Sequence, residues 1–266
     1  MADPTEFDDP RLVAVYDTLN PYAPGTQPDF YVGLARELGA ATVVEIGCGT
    51  GLVTAAFVRA GFDVVGLEPS ALMLDRARRR PAARGARWIH GDVAALDVRD
   101  ADLVVMAGHV AQFFLTDDAW RDALGHVRAA LGPGGRLAFE TRNPAAWAWE
   151  AWTPERTRRT VHDPVAGEIE TWAEVPGVHA AERPGVHAAV VDGLQRYRFA
   201  ATGEVLTART ALRFRTVEEV DASLSAADFA VERRYGSWDR RPFGPEDQEI
   251  VVVAQVRGRR AAAPSR

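Results

Sequence analysis

Glu45-Ile46-Gly47-Cys48-Gly49-Thr50-Gly51 is the stretch whose reading decides the fold of this chain. Before it, Thr42-Val43-Val44-Glu45-Ile46 is a short β-branched run, which reads as a strand. After it, Leu52 to Ala60 carries a helical pattern that stops at Gly61. Glycines at alternate positions let the backbone turn sharply and approach a ligand closely. The helix that follows aims backbone N–H groups at whatever lies there. A dinucleotide-binding turn would read G-x-G-x-x-G, but Leu52 stands at the third such position. The spacing is E-x-G-x-G-x-G, which counts against a nicotinamide dehydrogenase.

Outward from this turn, strands and helices alternate. Asp63 to Leu67 is a second strand, and Ser70 to Arg80 is a helix capped by Ser70 and ended by Pro81. Ala86 to His90 is a third strand, and Ala101 to Ala107 a fourth, apolar enough to be buried on both faces. Thr116 to Leu131 is a helix, Gly132 to Gly135 a turn, and Arg136 to Glu140 a fifth strand. Later, Thr216 to Ala227 is a helix opened by the capping box Thr216-Val217-Glu218-Glu219. Val231 to Trp238 and Glu249 to Val256 are the last two strands. Alternation of this kind predicts an α/β fold: a doubly wound (Rossmann-like), seven-stranded, mostly parallel sheet.

Between strands five and six the pattern changes. Residues 157–215 lack helix periodicity and are rich in Val, Thr and aromatics. Thr157–Val175, Val186–Ala200 and Val205–Arg215 read as an antiparallel β insertion. The hexapeptide Pro-Gly-Val-His-Ala-Ala occurs at 176–181 and again at 184–189, and a tolerated loop expansion explains it without a role for His179 or His187. Ahead of the sheet, Arg11 to Leu19 and Asp29 to Leu38 read as helices, with Asp29 as N-cap of the second. The expected organisation is an N-terminal helical lid at 1–40, a core at 41–144 and 216–256, an insertion serving as acceptor cap at 145–215, and a frayed tail at 257–266.

Composition narrows the function classes. At 266 residues the chain suits one large α/β domain with an insertion. A net charge of -6 argues against a general nucleic-acid binder, although all 31 basic residues are Arg. The single cysteine, Cys48, excludes a disulfide scaffold and a Cys-rich zinc site, and no other metal-ligand cluster is apparent. No apolar run is long enough for a membrane span, and Met1 to Glu6 shows no signal-peptide pattern, so the expected location is cytoplasmic.

The glycine stretch resembles motif I of the class I S-adenosylmethionine-dependent methyltransferases, and further matches follow in that family's order. Glu68 ends the second strand in Gly66-Leu67-Glu68-Pro69-Ser70, Asp92 follows the third in Gly91-Asp92-Val93, and Leu131-Gly132-Pro133-Gly134-Gly135 precedes the fifth. The resemblance implies S-adenosyl-L-methionine as cofactor, with Gly47, Cys48, Gly49, Gly51, Pro69, Val93 and Gly108 around it. It implies that Glu68 holds both ribose hydroxyls; a surface carboxylate capping the next helix is the plainer role. It implies that Asp92 faces the adenine amino group, where a simple turn residue would also fit. Glu45 would orient the glycine loop or the cofactor's ammonium. Tyr16, in Ala14-Val15-Tyr16-Asp17, resembles the tyrosine of a lid helix in small-molecule members.

Acceptor candidates lie at the carboxyl ends of strands four and five, where ligands of doubly wound sheets bind. His109 would act as a general base or wall the pocket. Arg142 and Trp238 lie at strand ends, and Trp147, Trp149 and Trp152 follow strand five. The tryptophans would line an acceptor pocket or pack the insertion against the sheet. Strand four is not followed by Asp-Pro-Pro-Tyr, Asn-Pro-Pro-Tyr or a Pro-Cys nucleophile. Those absences favour a small-molecule or peptide acceptor. The insertion resembles those of small-molecule methyltransferases, including enzymes of natural-product tailoring, which implies methyl transfer to an N or O atom. A non-catalytic cofactor-binding or partner-interaction protein of the same fold is the rival, and an RNA methyltransferase a weaker one. No membrane partner is expected, and a homodimer is left open.

Overall fold

The computed structural model describes residues 5–23, 25–180 and 188–257. His187 and the tail from residue 258 lie outside the described residues. In chain order the elements are α1 (Pro10–Leu19), α2 (Gln27–Glu37), β1 (Thr42–Ile46), α3 (Leu52–Arg59), β2 (Asp63–Glu68), α4 (Ala71–Arg79), β3 (Arg87–His90), β4 (Ala101–Met106), α5 (Asp117–Ala130) and β5 (Leu131–Arg142). There follow α6 (Pro154–Thr157), β6 (Arg159–Asp163), β7 (Gly167–Ala180), β8 (Ala189–Phe199), β9 (Val205–Phe214), α7 (Val217–Ala226), β10 (Phe229–Tyr235) and β11 (Glu249–Val256).

Seven strands form one sheet in the order β10-β11-β5-β4-β1-β2-β3. The strands from β1 to β5 pair in parallel, while β11 runs antiparallel to both β5 and β10. The chain winds from β1 to β2 and β3 on one side, and through β4 to β5 on the other. The switch point therefore lies between β1 and β4, and a crevice opens at their carboxyl ends. Central strands are buried on both faces: Val43, Val44, Leu103, Val104, Val105 and Met106 have no exposed area. Asp102 is the polar residue in β4, and its carboxylate accepts from the N–H groups of Ala41 (2.8 Å) and Thr42 (2.9 Å), fixing where β1 begins.

Helix starts follow their caps. Ser70 accepts from Met73 N at α4, Thr116 from Ala119 N at α5, and Thr216 with Glu219 closes a capping box at α7. The second N-terminal helix departs from the sequence expectation. It begins at Gln27 with Pro28 in its first turn, and Asp29 is not its N-cap. The Asp29 carboxylate instead accepts from Tyr22 Oη (2.6 Å) and Gly25 N (2.7 Å), closing the loop before the helix.

The helical lid expected at 1–40 divides into two parts. Phe30, Tyr31, Leu34 and Ala35 of α2 are buried in one core layer with Val43, Phe57, Leu103 and Val251. That helix is part of the core. The helix α1 packs Leu12, Val15 and Leu19 against Ile169, Tyr197 and Phe199 of the insertion.

The insertion is a four-stranded antiparallel sheet, β6-β7-β8-β9. The single strand expected over Thr157–Val175 is two strands, β6 and β7. Asp163 breaks it: its carboxylate accepts from Val165 N (2.9 Å) and Ala166 N (2.8 Å), and Gly167 takes φ +76° to complete the turn. Beyond Val175, β7 continues through a bulge between Glu174 and Gly177 that accommodates Pro176. The turn expected at Gly132–Gly135 lies within β5, whose register against β4 shifts after Ala101. The loop expansion places His179 Nε2 2.8 Å from the exposed Asp192, on the far part of the β7–β8 hairpin.

Candidate active site

Three adjoining cavities occupy the carboxyl end of the sheet. The first, of about 280 Å³, is lined by Tyr16, Gly47, Gly49, Glu68, Pro69, Asp92, Val93 and Gly108, with Phe7, Val110 and Phe113 as apolar wall. The second, of about 580 Å³, shares Phe7, Tyr16, Gly47, Gly49, Gly108 and Phe113 with it and adds Glu45, Cys48, His109, Arg142 and Trp238. The third, of about 530 Å³, lies under the insertion and meets the second at Arg142, Phe113, Thr210 and Leu212.

The glycine loop builds the floor. Gly47 sits at φ +68°, and a Cβ there would lie 2.5 Å from a Val110 methyl. Gly51 sits at φ +75°, where a Cβ would press on Trp88 and Ala77. Side chains at either position would strain the backbone and close the space the loop leaves. Gly51 is the N-cap position of α3 and does not line any of these cavities. Cys48 is buried, and burial raises its thiol well above the usual range, which is the setting of an inert small residue.

Glu68 is buried at the end of β2, and its carboxylate accepts from Gly49 N (2.8 Å) and Ser70 N (2.9 Å). Burial raises its pKa above the carboxylate norm. A carboxylate has about four lone-pair sites. Two are used here, and the remaining capacity faces the first cavity. An apolar chamber, a strand-end carboxylate with two free lone pairs and a side-chain-free floor fit the nucleoside half of S-adenosylmethionine. Asp92 is exposed at the rim, and its side chain caps a short turn through Ala94 N (2.9 Å). Glu45 is buried beneath the second cavity, accepts from the Thr54 hydroxyl, and is pushed up to about 8 by burial.

The lid helix is fastened to this floor. Asp17 accepts from the Thr50 hydroxyl (2.6 Å) and from Arg80 Nη2 (2.6 Å), and Arg80 Nε donates to Thr50 O (2.9 Å). Tyr16 and Phe7 thereby lie over the first two cavities, with their rings 6.2 Å apart. Phe7 and Glu6 line the cleft and were not singled out in the sequence, because nothing in Thr5-Glu6-Phe7 has a periodic or motif signal.

His109 sits at φ +62° after Gly108. Glu140, fully buried at the end of β5, holds this turn: it accepts from Gly108 N (2.6 Å) and His109 N (2.9 Å), and also from Gln27 Nε2 (2.5 Å) and the Tyr31 hydroxyl. Burial raises the Glu140 pKa. The His109 ring is edge-on to Trp238, at a centroid distance of 6.5 Å, and its Nε2 lies 2.9 Å from Glu249 Oε2. Glu249 opens β11, opposite Arg142 in the register. Glu140 and Glu249 escaped sequence reading because only the β5–β11 pairing brings them to this corner.

The structure corrects part of the acceptor set. Trp149 is buried against Phe214 (ring centroids 4.8 Å apart) in a cluster of the insertion, and Trp147 is exposed and stacks on Trp149. Neither lines the cavities. Trp149 packs within the insertion, and Trp152 instead reaches the third cavity, with Arg142 5.2 Å above its ring. Trp238 and Arg142 do line the second cavity. Among the described residues no group of three or more His, Cys, Asp or Glu side chains could hold a metal ion, and no helix is long and apolar enough to cross a membrane.

A doubly wound sheet of this order, with a glycine loop, a strand-end Glu68 and a cleft at the switch point, defines a class I S-adenosylmethionine-dependent methyltransferase fold. Residues 43–135 match the family described as "Methyltransferase domain". The chain is 30% identical over 149 residues to the cypemycin N-terminal methyltransferase of a Streptomyces species, a match covering 54% of this chain. The chain spans 60% and 52% of the length of the first curated relatives it matches. The solved CcbJ methyltransferase of Streptomyces caelestis superposes with a TM-score of 0.72 at 23% identity, over 96% of this chain and 100% of its own. The amino pentose methyltransferase CalS10 of Micromonospora echinaspora superposes with a TM-score of 0.65 at 24% identity, over 91% and 95% of the two chains.

Proposed function

We propose that this chain is an S-adenosylmethionine-dependent methyltransferase acting on an N or O atom of a small molecule or peptide, in the tailoring of natural products. The observation that carries the reading is the continuity of the cleft: the chamber under Glu68 opens past Gly108 into the one lined by His109, whose ring is bonded to Glu249. The related proteins named for cypemycin and for calicheamicin biosynthesis support the acceptor class.

S-adenosylmethionine, when bound, would supply a sulfonium methyl whose carbon an acceptor lone pair attacks, the thioether leaving with the C–S electron pair. The residues of this chain do the rest. Glu68 takes the two ribose hydroxyls, the apolar wall of Phe7, Val110 and Phe113 holds the base, and Asp92 stands at its rim. Glu45 faces the amino-acid end. Because a carboxylate only accepts, Glu249 keeps the proton of His109 on Nε2. The lone pair of Nδ1 is then the basic site, ready to take the proton that an amine or hydroxyl loses as its new bond forms. Among the described residues no hydrogen bond to Nδ1 is found. Alignment of acceptor and methyl in a closed cleft contributes much of the rate, of order 7–11 kcal/mol for well-oriented reactants. A purely binding protein of this fold would have no use for the His109–Glu249 pair.

A cytoplasmic setting suits the single buried cysteine, and the net charge of -6 gives no footprint for nucleic acid. The test is direct. Calorimetry should show S-adenosylhomocysteine binding, and methyl-labelled S-adenosylmethionine should label amines or hydroxyls of an amino-sugar and peptide panel. Absence of S-adenosylhomocysteine binding to folded protein would refute the reading.

A further inference from the structure

Arg142 is a guanidinium with no carboxylate partner at the mouth between two cavities. Its Nη1 donates to the neutral amide oxygen of Gln112 (2.9 Å), and its charge lies over the Trp152 ring. Among the described residues no carboxylate oxygen lies within 4.0 Å of it, and neither Nε nor Nη2 carries a hydrogen bond. The two nearest candidates are engaged elsewhere. Glu249, directly across the β5–β11 ladder, is bonded to His109, and Glu140 accepts from four donors of the 108–109 turn and α2. Arg142 is half-buried, and burial lowers its pKa although the charges of Glu249 and Glu140 act against the shift, so no direct ion pair makes good the lost hydration. Such a cost persists where a ligand supplies the missing charge.

The third cavity has the same sign. Arg159 lines it beside Arg142 and donates to the backbone oxygen of Leu19 (2.7 Å). Its two carboxylates are engaged elsewhere: Glu6 is half-buried, accepts from Tyr197 Oη (2.5 Å) and is raised in pKa by burial, and Glu174 is paired with Arg196 at 3.4 Å. Trp152 gives the mouth an aromatic face.

Resting on the methyltransferase reading above, we propose that the acceptor carries an anionic group, a carboxylate or a phosphate, held by Arg142 at the mouth of the chamber under the insertion. The free Nε and Nη2 edge of the guanidinium matches the two oxygens of such a group. The rest of the acceptor reaches from there toward His109 across the second cavity, which Arg142 and His109 both line. Arg142 is thus a specificity-determining residue, selecting acidic acceptors over neutral ones of equal shape.

The experiment uses the full chain saturated with S-adenosylhomocysteine, and ligand-observed NMR titration of 3-phenylpropionate, phenyl phosphate and the neutral 3-phenylpropionamide. The expected result is that at least one anion binds about tenfold or more tighter than the amide, the tighter of the two naming the anionic group. Arg142→Gln should erase the preference, and Arg142→Lys should keep part of it, both with unchanged S-adenosylhomocysteine affinity and melting temperature. If neither variant folds, the preference of the wild-type protein decides alone. Equal binding of anion and amide, or no binding of any probe, overturns the proposal while leaving the methyltransferase reading intact. A large loss of S-adenosylhomocysteine affinity in Arg142→Gln with no anion preference in the wild type also overturns it, assigning Arg142 to the cofactor's own carboxylate. Failure of the wild type to bind S-adenosylhomocysteine at all would be the separate failure of the function itself.

Discussion

Cofactor binding should expel a proton from Glu45. This carboxyl is fully buried under the second cavity, has one hydroxyl partner in Thr54, and is pushed up to about 8 by burial. At pH 7 it lies about one unit below its midpoint, so roughly one molecule in eleven carries the charge. An ammonium arriving in the cavity favours the charged form and pulls the pKa back down. If it falls to about 5 or below, binding at pH 7 releases close to 0.9 proton per molecule. The affinity must then rise with pH: about ninefold from pH 6 to 7, about fivefold from 7 to 8, and little beyond. The unliganded fold shows the opposite trend. A carboxyl whose folded pKa lies above its unfolded value near 4.5 binds the extra proton in the native state, so its contribution to stability is present below that value and is lost as pH rises through about 8. Calorimetry of S-adenosylhomocysteine binding at pH 7, in buffers of different ionisation enthalpy, counts the protons. Glu45→Gln should release almost none and bind with a flat pH profile. Release below about 0.2 proton in the wild type, or the same release from Glu45→Gln, would refute the assignment of Glu45 to the ammonium end.

Removing the Glu68 carboxylate should cost at least about tenfold in cofactor affinity, since each charge-assisted hydrogen bond is worth roughly 1.5–3 kcal/mol; calorimetry on Glu68→Ala, with a melting curve to exclude unfolding, measures it. His109→Gln should lower turnover about 10²- to 10⁴-fold with cofactor affinity nearly unchanged, once an acceptor is in hand, whereas a pocket-wall role would leave turnover normal or weaken cofactor binding. Glu249→Gln, which can no longer hold the Nε2 proton as a charged acceptor, should lower turnover by a smaller factor and shift the pH–rate profile of the same assay. Leu212→Trp, in the wall shared by the second and third cavities, should change which acceptors turn over while S-adenosylhomocysteine affinity stays within about twofold.

The core was legible because its signals are local. The glycine stretch, the apolar run Ala101–Met106 and the capping box at Thr216 each state their element within a few residues, and the alternation of strand and helix then leaves little choice of topology. The boundaries that slipped are those where a side chain outside the periodic pattern decides. Asp163 turns the chain between β6 and β7 with two backbone bonds, and the run of Val, Thr and aromatics around it looks continuous without that knowledge. Asp29 looks like an N-cap by spacing, but Pro28 before it is already helical.

The site divides along the same line. The motif residues that line the proposed nucleoside chamber, Gly47 to Asp92, follow one another along β1 to β3, and a linear motif can carry them; Phe7, Tyr16 and Phe113 join them only through tertiary contacts. The acceptor side is assembled from four distant pieces: the 108–109 turn, Arg142 at the end of β5, Glu249 at the start of β11, and β8 and β9 of the insertion. No spacing rule links them. Their meeting depends on β11 entering antiparallel beside β5, which brings Glu249 opposite Arg142 and within reach of His109. This is also where the sequence left the tryptophans open between pocket and packing. Both Trp149 and Trp152 meet Phe214, on a strand more than sixty residues later, and of the two Trp152 reaches the third cavity. The proposed cofactor motif thus lies along one stretch of sequence, while the proposed acceptor side is assembled by tertiary contacts. Substitutions confined to the insertion can therefore change the acceptor without touching the glycine loop, and the Leu212→Trp measurement is the one that asks this of the molecule.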